Sequence, residues 1–175
     1  MGKRSSGSFE RQKRDFYPTP FSAVTALLPH LLDKTVFDEP CAGNGALVSH
    51  LESAGHKCLR ATDIDPQRDD IGTFDVFDIE SAYGDCFITN PPWNRKFLHP
   101  LILHLCEIAP TWLLFDADWM HTRQAAPYMP YCKKIVSVGR VKWIEDSPHT
   151  GKDNAAWYLF YKKTSDGPVD FWGRR

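Results

Sequence analysis

The tetrapeptide Asn90-Pro91-Pro92-Trp93 carries the clearest chemical signal in the sequence. It directly follows a short apolar run, and its two prolines fix φ and remove two amide donors, so the turn is stiff. The side-chain oxygen of Asn90 and the carbonyl of Pro91 can accept both hydrogens of an aromatic amine such as adenine N6. Trp93 offers a flat face on which an extruded base can stack. The pattern predicts that a nucleobase amine is positioned against an electrophilic methyl group, mainly through directed hydrogen bonds.

A glycine-rich turn earlier in the chain predicts a ligand site. The segment Asp38-Glu39-Pro40-Cys41-Ala42-Gly43-Asn44-Gly45 lies between a predicted strand and a predicted helix. Ligands of doubly wound sheets bind beyond the carboxyl ends of the strands. Gly43 and Gly45 would let the backbone approach a ligand closely, and Asp38 could hold a cationic amine.

Acidic residues after the next two predicted strands favour an adenosine-containing ligand. Asp63 follows Gly45 by about 20 positions, where an acidic side chain grips a ribose diol in nucleotide-binding folds. Asp78 could accept a hydrogen bond from the adenine amino group. The dinucleotide fingerprint is incomplete because position 48 is Val48, which lowers the odds of NAD and leaves room for another adenosine cofactor.

The elements that must position these residues alternate between β-type runs and amphipathic helices. Strands are predicted at 35–38, 58–63, 74–77, 86–89 and 112–115, and helices at 20–32, 47–54 and 97–108. Two further strand-like runs, Lys134 to Ile144 and Ala156 to Tyr161, are separated only by a polar loop, which predicts an antiparallel hairpin. The predicted fold is a doubly wound α/β sandwich with a mostly parallel sheet and a C-terminal antiparallel hairpin.

Composition narrows the class of protein. The chain has 175 residues, a formal net charge of −1 and five scattered cysteines, which argues against a disulfide framework and a structural zinc site. No apolar run approaches the length of a membrane span, and no secretory signal is evident. We therefore expect a cytoplasmic protein without a metal, with a flexible basic tail at 1–14 and a single catalytic domain at 15–175.

Taken together, the motifs resemble class I S-adenosylmethionine-dependent methyltransferases, specifically the adenine-N6 DNA enzymes with an Asn/Asp/Ser-Pro-Pro-aromatic turn. The resemblance runs from Asp15 to about Lys162 and implies S-adenosylmethionine as cofactor and a seven-stranded sheet. It implies cofactor contacts from Tyr17, Thr19, Asp38, Cys41, Gly43, Asn44, Gly45, Asp63, Asp78 and Asn90. It implies that the catalytic group consists of Asn90, Pro91, Pro92 and Trp93.

The resemblance leaves the target open in several ways. These DNA enzymes usually carry an extra recognition region, whereas here the predicted catalytic core takes up nearly all of the 175 residues. We therefore expect relaxed or very short sequence preference, as in small phage-encoded enzymes. Alternatively, the target is recognised by the 146–154 loop, the basic tail or a partner chain. Adenine N6 in RNA, cytosine N4 and, less favoured, a protein glutamine are alternative targets. A catalytically silent nucleic-acid-binding subunit with the same fold is an alternative of another class.

Outside the motifs, a few basic and aromatic residues could face nucleic acid. The basic candidates for phosphate contacts are Arg95, Lys96, Arg140 and Lys142. Trp119, Trp143 and Trp157 are expected in the core or at its rim, and one of them could face the target base.

Overall fold

The computed structural model describes residues 17–143, 151–162 and 167–174, which form one mixed sheet with helices on both faces. The strands are β1 Val36–Glu39, β2 Lys57–Asp63, β3 Gly72–Thr73, β4 Cys86–Thr89, β5 Thr111–Asp116, β6 Cys132–Arg140, β7 Asn154–Phe160 and β8 Asp170–Trp172. The α-helices are α1 Phe21–Leu27, α2 Ala46–Ser53 and α3 Arg95–Ile108. Short 3₁₀ helices span Leu28–His30, Val76–Asp78, Ala117–His121, Arg123–Ala125 and Met129–Tyr131.

The strand order β3-β2-β1-β4-β5-β7-β6-β8 places the change of winding direction between β1 and β4. From β1 the chain crosses through α2 to β2 on one side, and it returns to β4 on the other side of β1. All pairs from β3 to β5 are parallel. A crevice therefore opens beyond the carboxyl ends of β1 and β4, which is where such sheets bind ligands.

The predicted C-terminal hairpin is confirmed. Strand β7 pairs antiparallel with both β5 and β6, with Trp112 opposite Leu159 and Val136 opposite Trp157. Strand β8 pairs parallel with β6 and brings the number of strands in the described residues to eight rather than seven. The sequence analysis missed β8 because its three exposed residues form too short a run to show alternation.

Two local predictions were wrong. The strand predicted at 74–77 is instead the 3₁₀ helix Val76–Asp78, because the side chain of Asp75 accepts a hydrogen bond from the amide of Phe77 at 3.0 Å and favours a turn. The first helix ends at Leu27, before a 3₁₀ turn that contains Pro29, and Leu32 is 83% exposed rather than on the buried face.

The two faces of the sheet bury separate apolar clusters. On one face, α1 and α2 pack against Phe37, Trp112 and Trp157. On the other face, α3 and the 3₁₀ segments pack against β4, β5 and β7, with Phe115 and Tyr158 stacked at a ring distance of 4.2 Å. Burial of every residue from Thr111 to Phe115 matches a strand covered on both faces.

The predicted basic tail at 1–14 and most of the 146–154 loop lie outside the described residues. Within the described ranges, no helix is both long and apolar enough to cross a membrane. The same residues bring no three His, Cys, Asp or Glu side chains together as a metal site. The single-domain organisation stays a prediction.

Candidate functional site

A cavity of about 350 Å³ opens at the switch point between β1 and β4. Its walls come from four segments of the chain, within 17–19, 39–47, 63–67 and 90–92. The volume is in the range of small-molecule and cofactor sites. The glycine-rich turn, the acid after β2 and the proline turn after β4 therefore meet around one space.

The glycine-rich turn is shaped by two left-handed residues. Gly43 has φ 53° and Gly45 has φ 74°, and residues with side chains rarely adopt these values. Gly43 lines the cavity, whereas Gly45 lies behind it, where an added Cβ would collide with the guanidinium of Arg68. Asn44 also lines the cavity, and its Oδ1 accepts a hydrogen bond from the amide of Ala46 at 3.1 Å.

Asp63 lies at the cavity wall with its carboxylate fixed by backbone amides. Its Oδ2 accepts from the amide of Gly43 at 2.8 Å, and its Oδ1 accepts from the amide of Asp65 at 2.8 Å. An ionised carboxylate has about four lone-pair sites, so it can still accept hydrogen bonds from ligand hydroxyls. The loop that follows, which the sequence analysis did not single out, adds Ile64, Asp65 and Gln67 to the lining.

The two adjacent acids at the end of β1 have different surroundings. Asp38 does not line the cavity, although the sequence analysis expected it there. Its Oδ2 instead accepts from the amide of Tyr83 at 2.8 Å and from Nη2 of Arg60 at 3.3 Å. Successive side chains of a strand point to opposite faces, so only one of the two acids can reach the cavity. That acid is Glu39.

Glu39 presents a buried, unpartnered oxygen at the cavity wall. The residue is 1% exposed, and its Oε1 accepts from the amide of Cys41 at 3.3 Å. Its Oε2 is buried without a hydrogen-bond partner among the described residues. Burial raises the pKa of Glu39 to about 8, and the charge of Asp63 adds to this rise. The Cys41 amide and the nearby Thr89 hydroxyl, which does not reach hydrogen-bond geometry, partly oppose it. Such an oxygen fits a cationic or hydroxyl-bearing ligand.

Asn90 also lines the cavity, and its side chain is held by three hydrogen bonds. Its Nδ2 donates to Oγ1 of Thr19 at 3.1 Å and to the carbonyl of Tyr17 at 3.4 Å. Its Oδ1 accepts from Nε1 of Trp93 at 3.3 Å. Pro92 also lines the cavity, whereas Pro91 is buried and is not part of the lining. The structure therefore brings Tyr17, Thr19 and Asn90 together, as the sequence analysis expected.

Trp93 packs beside the cavity rather than lining it. Its Nε1 also donates to the carbonyl of Leu114 at 3.1 Å, which ties the ring to β5. Trp143 meets Trp93 edge to face at 5.5 Å and lies 6.5 Å from the Tyr17 ring. We call Tyr17, Trp93 and Trp143 the aromatic cluster. Trp119 and Trp157 are core residues, so of the three candidate tryptophans only Trp143 lies at this edge.

Two further cofactor-site candidates differ in placement. Cys41 lines the cavity and is partly buried, and its pKa is raised by burial and by the charges of Glu39 and Asp63. Asp78 is exposed in a 3₁₀ helix and does not line the cavity, because the segment that was predicted as a strand turns away after Thr73.

Basic side chains flank the aromatic cluster. Exposed Arg95 and Lys96 begin α3 directly after the proline turn, and Arg95 bonds Gln124 at 2.7 Å. Exposed Arg140 ends β6, and exposed Lys142 follows it. Since β6 runs parallel to β5, these residues end at the same edge of the sheet as Asn90.

Comparisons with known proteins identify the fold. No protein-family model matches the sequence, and no curated protein matches it. A protein from Pyrococcus horikoshii, described as a candidate RNA methyltransferase, matches with a TM-score of 0.56 at 18% identity, over 88% of this chain and 91% of that one. A dimethyladenosine transferase from Plasmodium falciparum matches with a TM-score of 0.56 at 16% identity, over 85% and 63% of the two chains.

A third solved structure, from Listeria monocytogenes, is described as a candidate class I S-adenosylmethionine-dependent methyltransferase. It matches with a TM-score of 0.55 at 12% identity, over 91% of this chain and 66% of that one. Identities this low show the fold alone. The chain has the Rossmann-like α/β fold of class I S-adenosylmethionine-dependent methyltransferases, which confirms the predicted fold class.

Proposed function

We propose that this protein transfers a methyl group from S-adenosylmethionine to the exocyclic amino group of a nucleobase, with adenine N6 in DNA as the leading target. The observation that carries the proposal is that Asn90 lines the same cavity as Glu39, whose buried Oε2 has no hydrogen-bond partner among the described residues. The Asn90 amide is suited to bind an aromatic amine, and the Glu39 carboxyl is suited to bind the ammonium group of a cofactor that carries an amino acid.

The residues present fit this cofactor. Glu39 would bind its ammonium group, Asp63 its ribose hydroxyls, and Thr19 with the Tyr17 segment its carboxylate. Gly43, with no side chain and a left-handed backbone, leaves room for the ligand at the turn. When bound, S-adenosylmethionine supplies a methyl group on a positively charged sulfur, which an amine can attack.

Asn90 and Pro91 would prepare the amine. Their two oxygens accept its two hydrogens and favour a tetrahedral nitrogen whose lone pair is directed toward the methyl carbon. The Oδ1 of Asn90 can do so while bonded to Trp93, because an amide oxygen has two lone pairs. The nitrogen becomes acidic as it gains the methyl group, so its surplus proton passes to water without a strong base.

The same edge of the sheet suits a nucleic acid. The aromatic cluster lies next to Asn90, and aromatic faces stack extruded or single-stranded bases. The flanking basic residues are of the type that contacts phosphates on either side of such a base.

Adenine N6 in RNA is the second candidate target. Two of the solved structures with this fold are described as a candidate RNA methyltransferase and a dimethyladenosine transferase. The edge of adenine that Asn90 and Pro91 would hold is the same in both nucleic acids. The two targets can therefore be distinguished only by assaying DNA and RNA substrates side by side.

The proposal is tested by incubating the protein with methyl-labelled S-adenosylmethionine and, in parallel, with duplex DNA, single-stranded DNA and RNA, followed by nucleoside mass spectrometry. We expect N6-methyldeoxyadenosine. Asn90→Ala should lower the transfer rate by about 100-fold or more, since it removes a directed acceptor, while calorimetry still detects cofactor binding. Wild-type protein that binds the cofactor but labels no nucleic acid contradicts the proposal, and absence of cofactor binding favours the silent subunit.

A further inference from the structure

The orientation of the Asn90 amide is fixed by partners whose hydrogen-bonding roles cannot be exchanged. An indole N–H only donates, so the atom facing Nε1 of Trp93 must be the amide oxygen. A backbone carbonyl only accepts, so the atom facing the carbonyl of Tyr17 must be the amide nitrogen. The Thr19 hydroxyl takes the remaining position as an acceptor from Nδ2 at 3.1 Å. A flipped amide would lose the bonds to Trp93 and Tyr17, because it would oppose two donors at the indole and two acceptors at the carbonyl.

Thr19 lies beside this amide at the cavity wall. It is 5% exposed, and it lines the cavity together with Asn90. Its hydroxyl accepts from Asn90 and donates no hydrogen bond to the residues that the structure describes. A hydroxyl has one proton and two lone pairs, so the proton remains available for an acceptor inside the cavity.

We propose that Thr19 is a positioning residue that couples occupancy of the cofactor cavity to the orientation of the catalytic amide. This inference rests on the proposed function, in which the cavity holds the cofactor carboxylate. When the Thr19 hydroxyl donates to that carboxylate, its lone pairs are turned toward Nδ2 of Asn90. Chains of hydrogen bonds polarise one another, so the bond to Asn90 strengthens at the same time. The bound cofactor thereby holds Oδ1 in place for the base amine.

The coupling predicts how two conservative substitutions differ. Thr19→Val keeps the shape of the side chain but removes the hydroxyl, so Nδ2 retains only the carbonyl of Tyr17 at 3.4 Å. Thr19→Ser keeps the hydroxyl and should behave like the wild type. If Thr19 only anchored its segment to the sheet by packing, the volume of the side chain would matter rather than its hydroxyl. Thr19→Val, which keeps the volume, would then be tolerated better than Thr19→Ser.

The first measurement is made on the protein without nucleic acid. The side-chain amide signals of Asn90, assigned by their loss in Asn90→Ala, are followed by ¹H–¹⁵N NMR with increasing S-adenosylhomocysteine, which carries the same amino-acid group as the cofactor. In the wild type and in Thr19→Ser we expect these signals to shift and their hydrogen exchange to slow on binding. In Thr19→Val they should start at a different position and respond little.

The second measurement is the methyl-transfer rate. Thr19→Val should lower kcat by about 10- to 100-fold, the scale of a misoriented reacting group, and Thr19→Ser should restore most of it. Cofactor affinity should fall by no more than about 10-fold, because only one hydrogen bond is lost. Thr35→Val is the matched control: Thr35 is also buried and bonded through its hydroxyl, to the carbonyl of Leu32 at 2.6 Å, but it lies at the opposite end of β1.

The outcomes separate the two proposals. If the wild type neither binds S-adenosylhomocysteine nor methylates nucleic acid, the proposed function fails. If the wild type is active but Thr19→Val keeps its kcat, or the Asn90 signals ignore the ligand, the role of Thr19 is refuted. Should Thr19→Val fold poorly, Thr19→Ala takes its place: Asn90 signals that respond to the ligand as in the wild type, without the hydroxyl, refute the role of Thr19, and a lost response supports it.

Discussion

At the scale of single residues, neighbouring carboxyl groups show how local surroundings assign a role. Asp38 is buried but bonded to Arg60 and to a backbone amide, so it ties β1 to β2 and to the segment before β4. Glu39 is equally buried, and each of the two carboxyl groups has one oxygen with no partner in the described residues, but only Glu39 lines the cavity. An unsatisfied buried polar group costs free energy of folding unless a ligand completes it. Of these two carboxyl groups, Glu39 is therefore the one that a ligand in the cavity can complete.

This difference predicts a pH dependence for Glu39→Gln. The pKa of Glu39 rises from 4.5 to about 8 on folding, so the folded state binds the proton more tightly than the unfolded state. The resulting stability is present below pH 4.5 and is lost as pH rises through about 8. Relative to Glu39→Gln, wild-type protein without ligand should lose up to about 1.4 kcal/mol of unfolding free energy per pH unit across this window.

Urea unfolding at pH 5.5, 6.5 and 7.5 checks this prediction, with exposed Glu80→Gln as control. The difference in unfolding free energy between Glu39→Gln and the wild type should grow in favour of the variant as pH rises. A constant gap would show that Glu39 does not carry the raised pKa. Glu39→Gln should also weaken S-adenosylmethionine binding, since the amide cannot neutralise an ammonium group.

At the scale of elements, the geometry of the site depends on how closely β1 and β4 are joined. The turn before β4 lies directly on β1: the amide of Asp85 donates to the carbonyl of Val36 at 2.7 Å. A Cβ at Gly84 would lie 2.7 Å from the Cα of Phe37. No flexible side chain could yield to it, so the backbones themselves would have to separate.

We therefore expect Gly84→Ala to lower the unfolding free energy by about 1–3 kcal/mol, as for other overpacked sites. Gly173→Ala is the control, because a Cβ at Gly173 meets no atom within 4 Å, and its effect should stay within about 0.5 kcal/mol. Chemical unfolding of both variants measures the difference. Equal stability of the two variants would contradict the close contact between β1 and the turn.

The strands and helices with the clearest hydrophobic patterns in the sequence were predicted most accurately. Strand β4 matched the sequence prediction at both ends, because four buried residues are bounded by polar and proline residues. The antiparallel hairpin was equally evident from two long runs. The segment around Asp75 departs from the predicted strand, because the Asp75 side chain forms a local turn that competes with strand pairing.

The site was predictable as motifs but not as contacts. The glycine turn, Asp63 and Asn90 were identified because each follows a strand whose carboxyl end faces the cavity. Nothing in the sequence alone distinguished Glu39 from Asp38, since that choice depends on which face of β1 each side chain takes. The bond between Thr19 and Asn90 joins residues 71 positions apart, and such pairings arise only from the tertiary fold.

At the scale of the whole molecule, three distant segments meet at one edge of the sheet, as the aromatic cluster of Tyr17, Trp93 and Trp143 shows. The exposed groups beside it are Arg95, Lys96, Arg140 and Lys142. Arginine and lysine at such positions contact phosphates, which position a nucleic acid but carry no sequence information. Under the proposed function, this arrangement would favour recognition of a base and its backbone over recognition of a long sequence.

We accordingly expect this chain, assayed alone, to methylate random-sequence DNA with relaxed or very short sequence preference. Sequencing that detects modified adenines across a random library measures the preference directly. Modification confined to one motif of four or more bases would contradict the expectation. The assay should be repeated at rising salt, where phosphate-based binding weakens steeply.

The thiol at the cavity wall has a consequence for the durability of such an enzyme. A thiolate is a far stronger nucleophile than an aromatic amine, so a cysteine beside a methyl donor risks alkylating itself. The pKa of Cys41 is held well above the usual thiol range by burial and by Glu39 and Asp63, and a neutral thiol reacts poorly. Under the proposed function, the carboxyl groups that would attract the cofactor also keep Cys41 protonated, so the methyl group would remain available for the amine.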